Sequence, residues 1–92
     1  MKIRAIFPGS FDPVHYGHID IAARASRIFD TLVVAVYETP NKNLFFSTEE
    51  RLEMLRQAMA NLPNVEVVSY RGLTIGFAKQ INAQVMVRGL RV

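Results

Sequence analysis

Most of the residues that could carry chemistry lie in one stretch, from Pro8 to His18, which holds both histidines of the chain. Gly9 allows another group to approach the backbone closely, and Ser10 offers a hydroxyl and an N–H group to a phosphate. His18 lies where we expect the first turn of a helix, and a helix N-terminus attracts an anion. An imidazole there can donate to a phosphoryl oxygen and stabilise charge as it builds. The stretch therefore predicts a phosphate site.

Two other interpretations of this stretch are open. It could be a turn followed by a helix cap, with the Asp12 carboxylate as the capping group. His15 and His18, three positions apart, could also form a metal pair, but the chain has no Cys and no third imidazole to support one. We therefore favour the phosphate site and predict no metal ligands. We expect His15 to hold the loop and Gly17 to leave room for a nucleotide.

Basic residues that suit phosphate groups follow two later segments. Lys42 lies in the loop after the second predicted strand, where its flexible ammonium suits an anionic substrate, although alone it is more readily a solvated lysine. Arg88 follows the last predicted strand, its planar fork suits bidentate phosphate contact, and Gly89 permits a tight turn. In isolation, Arg88 and Arg91 could equally be two solvated arginines. Position favours binding, because the loops after strands one, two and four would converge on one site.

The rest of the chain predicts the elements that position these residues. Short apolar, β-branched runs predict strands over residues 3–7, 31–37, 65–70 and 84–87. Apolar residues at helical spacing predict helices over 16–29, from Ser47 to the residue before Pro63, and over 73–82. Ser47 and Glu50 have the spacing of a capping box. The predicted buried stripes are Ile21, Ala22, Ala25, Ile28 and Phe29, then Leu52, Leu55, Met59 and Leu62, then Ile75, Ala78 and Ile81. The predicted solvated face of the second helix is Glu49, Glu50, Arg51, Glu53 and Arg56.

The alternation of strands and helices, βαβαβαβ, predicts an α/β fold with parallel strands and helices on both faces of an open, Rossmann-like sheet. Ligands bind such sheets beyond the carboxyl ends of the strands, where the strand order reverses. We expect the order 3-2-1-4, which opens a crevice between the loops after strands one and four. The three basic or phosphate-binding segments would then face one another across that crevice.

Length and composition set the outer limits. The 92 residues make one domain, half of them are apolar and 21% are charged, which excludes a disordered chain. The absence of Cys excludes a disulfide scaffold and a Cys-based zinc site. No apolar run is long enough to span a bilayer, so we predict no membrane partner. The net charge of +3 is spread along the chain without a run of like charges, so we predict no nucleic-acid partner.

Taken together, these motifs resemble a known family. The Gly-x-Phe-Asp-Pro-x-x-x-Gly-His pattern, which ends at His18, is similar to the signature of the nucleotidyltransferase superfamily. The wider combination resembles the bacterial pantetheine-phosphate adenylyltransferases, enzymes of coenzyme A synthesis, along the whole chain. The segments that carry this resemblance are Pro8 to Pro13, Asn41-Lys42, Phe46 with Glu49-Glu50-Arg51, and Arg88-Gly89-Leu90-Arg91.

The resemblance implies that ATP and 4′-phosphopantetheine react, with Mg²⁺ as cofactor, to give dephospho-coenzyme A and pyrophosphate. His18 would stabilise the transition state. ATP would contact Ser10, Phe11, His18, Gly89, Leu90 and Arg91, and phosphopantetheine would contact Ser10, Lys42, Thr74 and Arg88. The resemblance also implies a cytoplasmic location, a homo-oligomer that in this family is often a hexamer, and feedback binding of coenzyme A. Members of the family carry other residues at the position of Thr74.

Members of the family continue past the position where this sequence stops, so we expect residues 1–92 to be the N-terminal portion of a longer nucleotidyltransferase domain. Two alternatives to the adenylyltransferase follow. The histidine motif suits an enzyme acting on nicotinate mononucleotide equally well. The early stop also allows a catalytically incomplete half-domain that binds a nucleotide or coenzyme A and associates with itself or another chain.

Overall fold

The computed structural model describes residues 2–38 and 43–89. Seven elements follow one another in the predicted alternation of strand and helix. The strands are β1 (Arg4–Gly9), β2 (Thr31–Tyr37), β3 (Val65–Tyr70) and β4 (Val85–Met86). The helices are α1 (Tyr16–Ile28), α2 (Thr48–Ala58) and α3 (Thr74–Gln80).

The four strands form one parallel sheet in the order β3-β2-β1-β4, which confirms the predicted fold class and strand order. β1 pairs with β2 from Arg4 opposite Thr31 to Gly9 opposite Val36. On its other side it pairs with β4 only at Ala5 and Ile6. The direction in which successive strands are added to the sheet therefore reverses beside β1. A crevice opens there, where the loops after β1 and β4 separate.

Alternate residues of the central strands face two different cores. Ala5 and Phe7 of β1, with Leu32, Val34 and Val36 of β2, pack beneath α1 and α2. Ile6 and Ala35 face the other way and pack with Tyr70 and Ala78 beneath α3. Since both faces of the sheet are covered, β2 reads in the sequence as a nearly continuous apolar run, as predicted.

α2 begins with the predicted capping box. The Glu50 N–H donates to the Ser47 hydroxyl at 3.1 Å, and the Ser47 N–H donates to the Glu50 carboxylate at 2.9 Å. Hydrogen bonds from the backbone and the side chain of Ser47 to the Glu50 carboxyl lower its pKa from its ordinary value. Leu52, Leu55 and Met59 are buried beneath this helix, as its predicted stripe requires.

Three predictions about the helices are wrong. Arg51 was expected on the solvated face of α2, but only 1% of it is exposed. Ile28 and Ile75 were expected in the buried stripes, yet they are 73% and 66% exposed. Ile28 is the last residue of α1 and Ile75 lies at the start of the seven-residue α3, so neither is covered by a neighbouring element. Within the described residues, no helix has the length and apolarity needed to cross a membrane.

Candidate active site

A cleft of about 680 Å³ opens at the carboxyl end of the sheet, where the strand order predicts a ligand. Its size is typical of a site for a small organic ligand. It is lined by the loop after β1, the first turn of α1, the start of α3 and the residues after β4. The predicted site residues on this lining are Ser10, Phe11, His18, Thr74, Arg88 and Gly89. Lys42, Leu90 and Arg91 lie outside the described residues.

The two histidines form the cap of α1. His15 is the N-cap residue, and its Nδ1 accepts from the Gly17 N–H at 3.0 Å. The His15 N–H donates in turn to Nδ1 of His18 at 3.1 Å. The two rings are stacked with their centroids 3.7 Å apart. Because Nδ1 of His18 is an acceptor, the hydrogen bond assigns the proton of the neutral ring to Nε2.

The packing around Gly17 requires a glycine, for a reason that the sequence did not reveal. A Cβ atom at this position would lie 2.8 Å from Cε1 of His15 and 3.1 Å from its Nδ1. The glycine therefore makes room for the capping imidazole of His15, beside any room it leaves for a nucleotide. The cap and the orientation of His18 depend on the same small residue.

Asp12 does not cap α1, as the alternative interpretation of this stretch proposed. Its carboxylate accepts from the Phe45 N–H at 2.6 Å and from the Phe46 N–H at 2.8 Å. Asp12 thus joins the loop after β1 to the segment that precedes α2. Phe46 is half-buried there, while the ring of Phe45 remains exposed.

The ring of Phe11 packs against the ring of His18. Its side chain is buried, with its ring centroid 4.8 Å from that of His18 and 5.3 Å from that of Phe7, both at edge-on angles. Its φ is +48°, a left-handed value that a bulky residue rarely adopts. The ring also packs against Gly9 so closely that a Cβ atom at Gly9 would lie 3.2 Å from Cε2 of Phe11. Packing of Phe7, Gly9 and His18 therefore holds this unusual turn.

The opposite wall of the cleft is aromatic. Tyr37 and Tyr70, at the ends of β2 and β3, lie with ring centroids 5.4 Å apart, and Tyr70 stacks on Phe77. The Tyr70 and Thr74 hydroxyls are hydrogen-bonded at 2.9 Å, which fixes the Thr74 side chain. Leu73 is largely exposed at the rim. The cleft thus has a polar, basic end with His18 and Arg88 and an apolar end with the two tyrosines.

The sequence analysis missed Arg51 and the two tyrosines of this wall. A signal for Arg51 was present: it lies four and eight positions before Leu55 and Met59, on their side of the helix. Its acidic neighbours in the sequence outweighed that spacing. The tyrosines end two predicted strands, so the strand order alone could have placed them at the ligand edge.

The described part of the chain includes no protein site for Mg²⁺. Among residues 2–38 and 43–89, no group of three or more His, Asp or Glu side chains could hold a metal ion.

Fold and cleft together define an α/β protein whose site suits a phosphate-bearing ligand. The chain belongs to the cytidylyltransferase-like family, whose family model matches residues 6–92. A solved lipopolysaccharide core biosynthesis protein from Thermoplasma volcanium GSS1 has the same fold, with a TM-score of 0.72 at 22% identity. The likeness covers 94% of this chain and 73% of that one.

Curated relatives are much closer in sequence. A phosphopantetheine adenylyltransferase from Chloroflexus aggregans is 60% identical over 87 residues, and one from a Roseiflexus species is 56% identical over the same length. Each alignment covers 95% of this chain and 54% of the relative. The chain therefore spans about half the length of the curated relatives that it matches.

Proposed function

We propose that this chain forms the nucleotide-binding part of an enzyme that transfers the adenylyl group of ATP to 4′-phosphopantetheine. The product is dephospho-coenzyme A, and pyrophosphate leaves. Two observations together support the proposal. A relative named phosphopantetheine adenylyltransferase is 60% identical over 95% of this chain, and His18, Ser10 and Arg88 line one cleft.

The reaction needs positioning and charge stabilisation and no covalent enzyme intermediate. A phosphate oxygen of phosphopantetheine attacks the α-phosphorus of ATP and forms the new P–O bond. The bond from that phosphorus to the oxygen bridging to the β-phosphate breaks in line, and the electron pair leaves with pyrophosphate. Negative charge moves onto the oxygens around the α-phosphorus and onto the leaving group, so donors aimed at those oxygens lower the barrier.

His18 is the donor best placed for the α-phosphate. The hydrogen bond from His15 fixes its ring through Nδ1, so that Nε2–H is the group it presents to a ligand. Ser10, exposed beside it, contacts both substrates, and the ATP phosphates also meet the backbone of Phe11 and Gly89. Leu90 and Arg91 are proposed as further ATP contacts on the basis of the family resemblance alone.

The acceptor occupies the remaining part of the cleft. The guanidinium of Arg88 pairs with the phosphate of phosphopantetheine, with Lys42 as the second cation that the resemblance supplies. The apolar pantetheine arm lies along Tyr37, Tyr70 and Leu73, beside Thr74. A cytoplasmic location, Mg²⁺ as cofactor, a homo-oligomer and feedback binding of coenzyme A remain predictions of the same resemblance.

The test compares two acceptors in an extended chain, in which this chain is followed by the remaining part of the Chloroflexus aggregans relative. Pyrophosphate release should require ATP and phosphopantetheine in the extended chain and should not occur with nicotinate mononucleotide. Release with nicotinate mononucleotide alone would favour the other adenylyltransferase, and no release with either acceptor would contradict the proposal.

Arg88 offers a matched pair of variants. Arg88→Gln removes the phosphate partner, so the KM for phosphopantetheine should rise about tenfold or more, the loss expected for a charged hydrogen bond. Arg24→Gln removes an exposed arginine of α1 whose only described ion pair, with Asp20 at 3.2 Å, lies on the surface. It should leave the KM unchanged. Equal effects of the two substitutions would contradict the role given to Arg88.

A further inference from the structure

Arg51 is the largest fully buried side chain of the described residues, and it lies directly beneath the loop after β1. Its Nη1 donates to the Ser10 carbonyl at 2.8 Å and to the Tyr37 carbonyl at 3.2 Å. Its Nε donates to the Ser47 carbonyl at 3.3 Å, and its Nη2 to the Thr48 hydroxyl at 3.1 Å. One guanidinium therefore joins the loop after β1 and the end of β2, which both line the cleft, to the start of α2.

All four acceptors are neutral. Among the described carboxylates, none forms an ion pair with Arg51. A guanidinium keeps its proton in proteins, and burying a charge without a counter-charge is costly unless it is fully hydrogen-bonded. Water screens a buried charge only weakly, so the positive field of Arg51 extends to its surroundings. A buried cation without a carboxylate partner therefore favours an anionic ligand nearby.

The hydrogen bond to Ser10 also sets the direction of a neighbouring donor. In a trans peptide the C=O and N–H groups point in opposite directions. Because the Ser10 carbonyl points at Arg51, the N–H of Phe11 points away from it, on the loop that lines the cleft. Phe11, which follows this peptide, has the left-handed φ of +48°.

We propose that Arg51 is a positioning residue for anion binding. It holds the Ser10–Phe11 peptide with its N–H toward the cleft, and its charge makes the cleft more attractive to phosphate groups. This inference rests on the proposed function, since it takes the phosphates of ATP or pyrophosphate as the anion. Arg51 acts through the peptide and the field and does not touch the substrate.

The test uses the chain itself, with inorganic pyrophosphate as the anionic probe and adenosine as the neutral one. Arg51→Met keeps the apolar stem but removes the charge and the fork, and Arg51→Lys keeps the charge alone. Arg56→Met is the matched control, because Arg56 lies on the same helix and is about half exposed. Calorimetric titration gives the affinities, and NMR follows the Ser10 carbonyl carbon and the Phe11 amide nitrogen.

Arg51→Met should weaken pyrophosphate binding about tenfold or more, because the cleft loses a nearby positive charge and the fixed orientation of the Phe11 N–H, and should leave adenosine binding within about twofold. Arg51→Lys should recover part of the pyrophosphate affinity, while both variants should shift the Ser10 and Phe11 signals of the unliganded chain. Arg56→Met should do neither. If Arg51→Met does not fold, Arg51→Lys carries the same comparison of the two probes.

Equal losses for pyrophosphate and adenosine would show a merely structural role and overturn the inference. Unchanged Ser10 and Phe11 signals in a folded Arg51 variant would do the same. A native chain that does not bind pyrophosphate would overturn both proposals. If pyrophosphate binding depends on Arg51 but the extended chain transfers no adenylyl group, only the proposed function fails.

Discussion

The helices α1 and α2 begin with the same hydrogen-bonding device built from different residues. In α2, Ser47 and Glu50 exchange side-chain and backbone hydrogen bonds at 2.9 and 3.1 Å. In α1, His15 and His18 occupy the corresponding positions, with hydrogen bonds of 3.0 and 3.1 Å to ring nitrogens. The first pair uses favoured capping residues, whereas histidine is not among the preferred N-caps.

The difference follows from what each helix start faces. The N-terminus of α2 is occupied by protein groups, since the Ser47 carbonyl and Thr48 hydroxyl bind Arg51. The N-terminus of α1 borders the cleft, where a glutamate would repel a phosphate. A histidine pair caps the helix through Nδ1, and in the proposed function Nε2–H of His18 is the donor to the ligand. We propose that the cap of α2 serves stability alone, whereas the cap of α1 serves stability and chemistry together.

The largest effect is expected at His18. His18→Ala removes a donor to the transition state, so kcat of the extended chain should fall about 10² to 10³-fold, the usual loss for one such donor. The affinity for ATP should change much less. Steady-state kinetics and calorimetric titration measure the two quantities separately.

His18→Gln sharpens the same experiment, because glutamine at the third helical position can still accept from the cap residue. The stability of this variant should be closer to that of the native chain than the stability of His18→Ala, while its kcat should stay low. A fall in binding without a fall in the rate at saturation would show that the role given to His18 is wrong.

Gly17→Ala should separate stability from chemistry. The added methyl group would meet the His15 ring at 2.8 Å and disturb the cap, which costs about 1 kcal/mol, while alanine recovers up to about 1 kcal/mol of helix propensity. The free energy of unfolding should therefore change little. The displaced ring should lower kcat about tenfold or more through His18. A stability loss with unchanged kcat would contradict the link between cap and chemistry.

Ser47→Ala tests the ordinary cap. It should lower the free energy of unfolding by about 1 kcal/mol, the usual value for a lost N-cap, without altering ATP affinity. Urea unfolding monitored by circular dichroism measures the first quantity and calorimetry the second. If ATP affinity falls as far as it does in a histidine variant, the two caps do not have separate roles.

The smallest effect is a pH dependence from Glu50. Its pKa is lower in the folded chain than in the unfolded chain because the carboxylate accepts from Ser47. Its contribution to stability is therefore complete above about pH 4.3, the pKa of an unperturbed glutamate, and is lost as the pH falls through the lower folded value. Glu50→Gln should flatten the acid limb of a plot of unfolding free energy against pH. An unchanged limb would contradict the hydrogen-bonded carboxylate.

Much of the fold could be predicted because local signals agree with the global arrangement. β2 is an apolar β-branched run and is buried on both faces, and Ser47 with Glu50 announces α2. The strand order followed from the general preference of open parallel sheets. The failures at Ile28 and Ile75 have a common physical cause. Periodicity identifies a helix face but does not tell how far the neighbouring elements extend along it.

The candidate site could be predicted only in part. Residue types and spacing identified Ser10, His18 and Arg88, which the fold brings to one cleft. The spacing of Arg51 with Leu55 and Met59 could have indicated its burial. Its partner Ser10 lies 41 positions away, and Phe45, the partner of Asp12, lies 33 positions away, so no local pattern could show these contacts. A charged residue on a charged helix is expected in solvent until the packing of the loops above it is known.

The cleft between the loops after β1 and β4 is the proposed binding site of the nucleotide. Titrating the isotope-labelled chain with ATP and following its amide signals by NMR tests this proposal most directly. We predict that the largest shifts occur at Ser10, Phe11, His18 and Gly89. Shifts concentrated instead around the smaller depression near Arg56 and Pro63, or no saturable shifts at all, would contradict it.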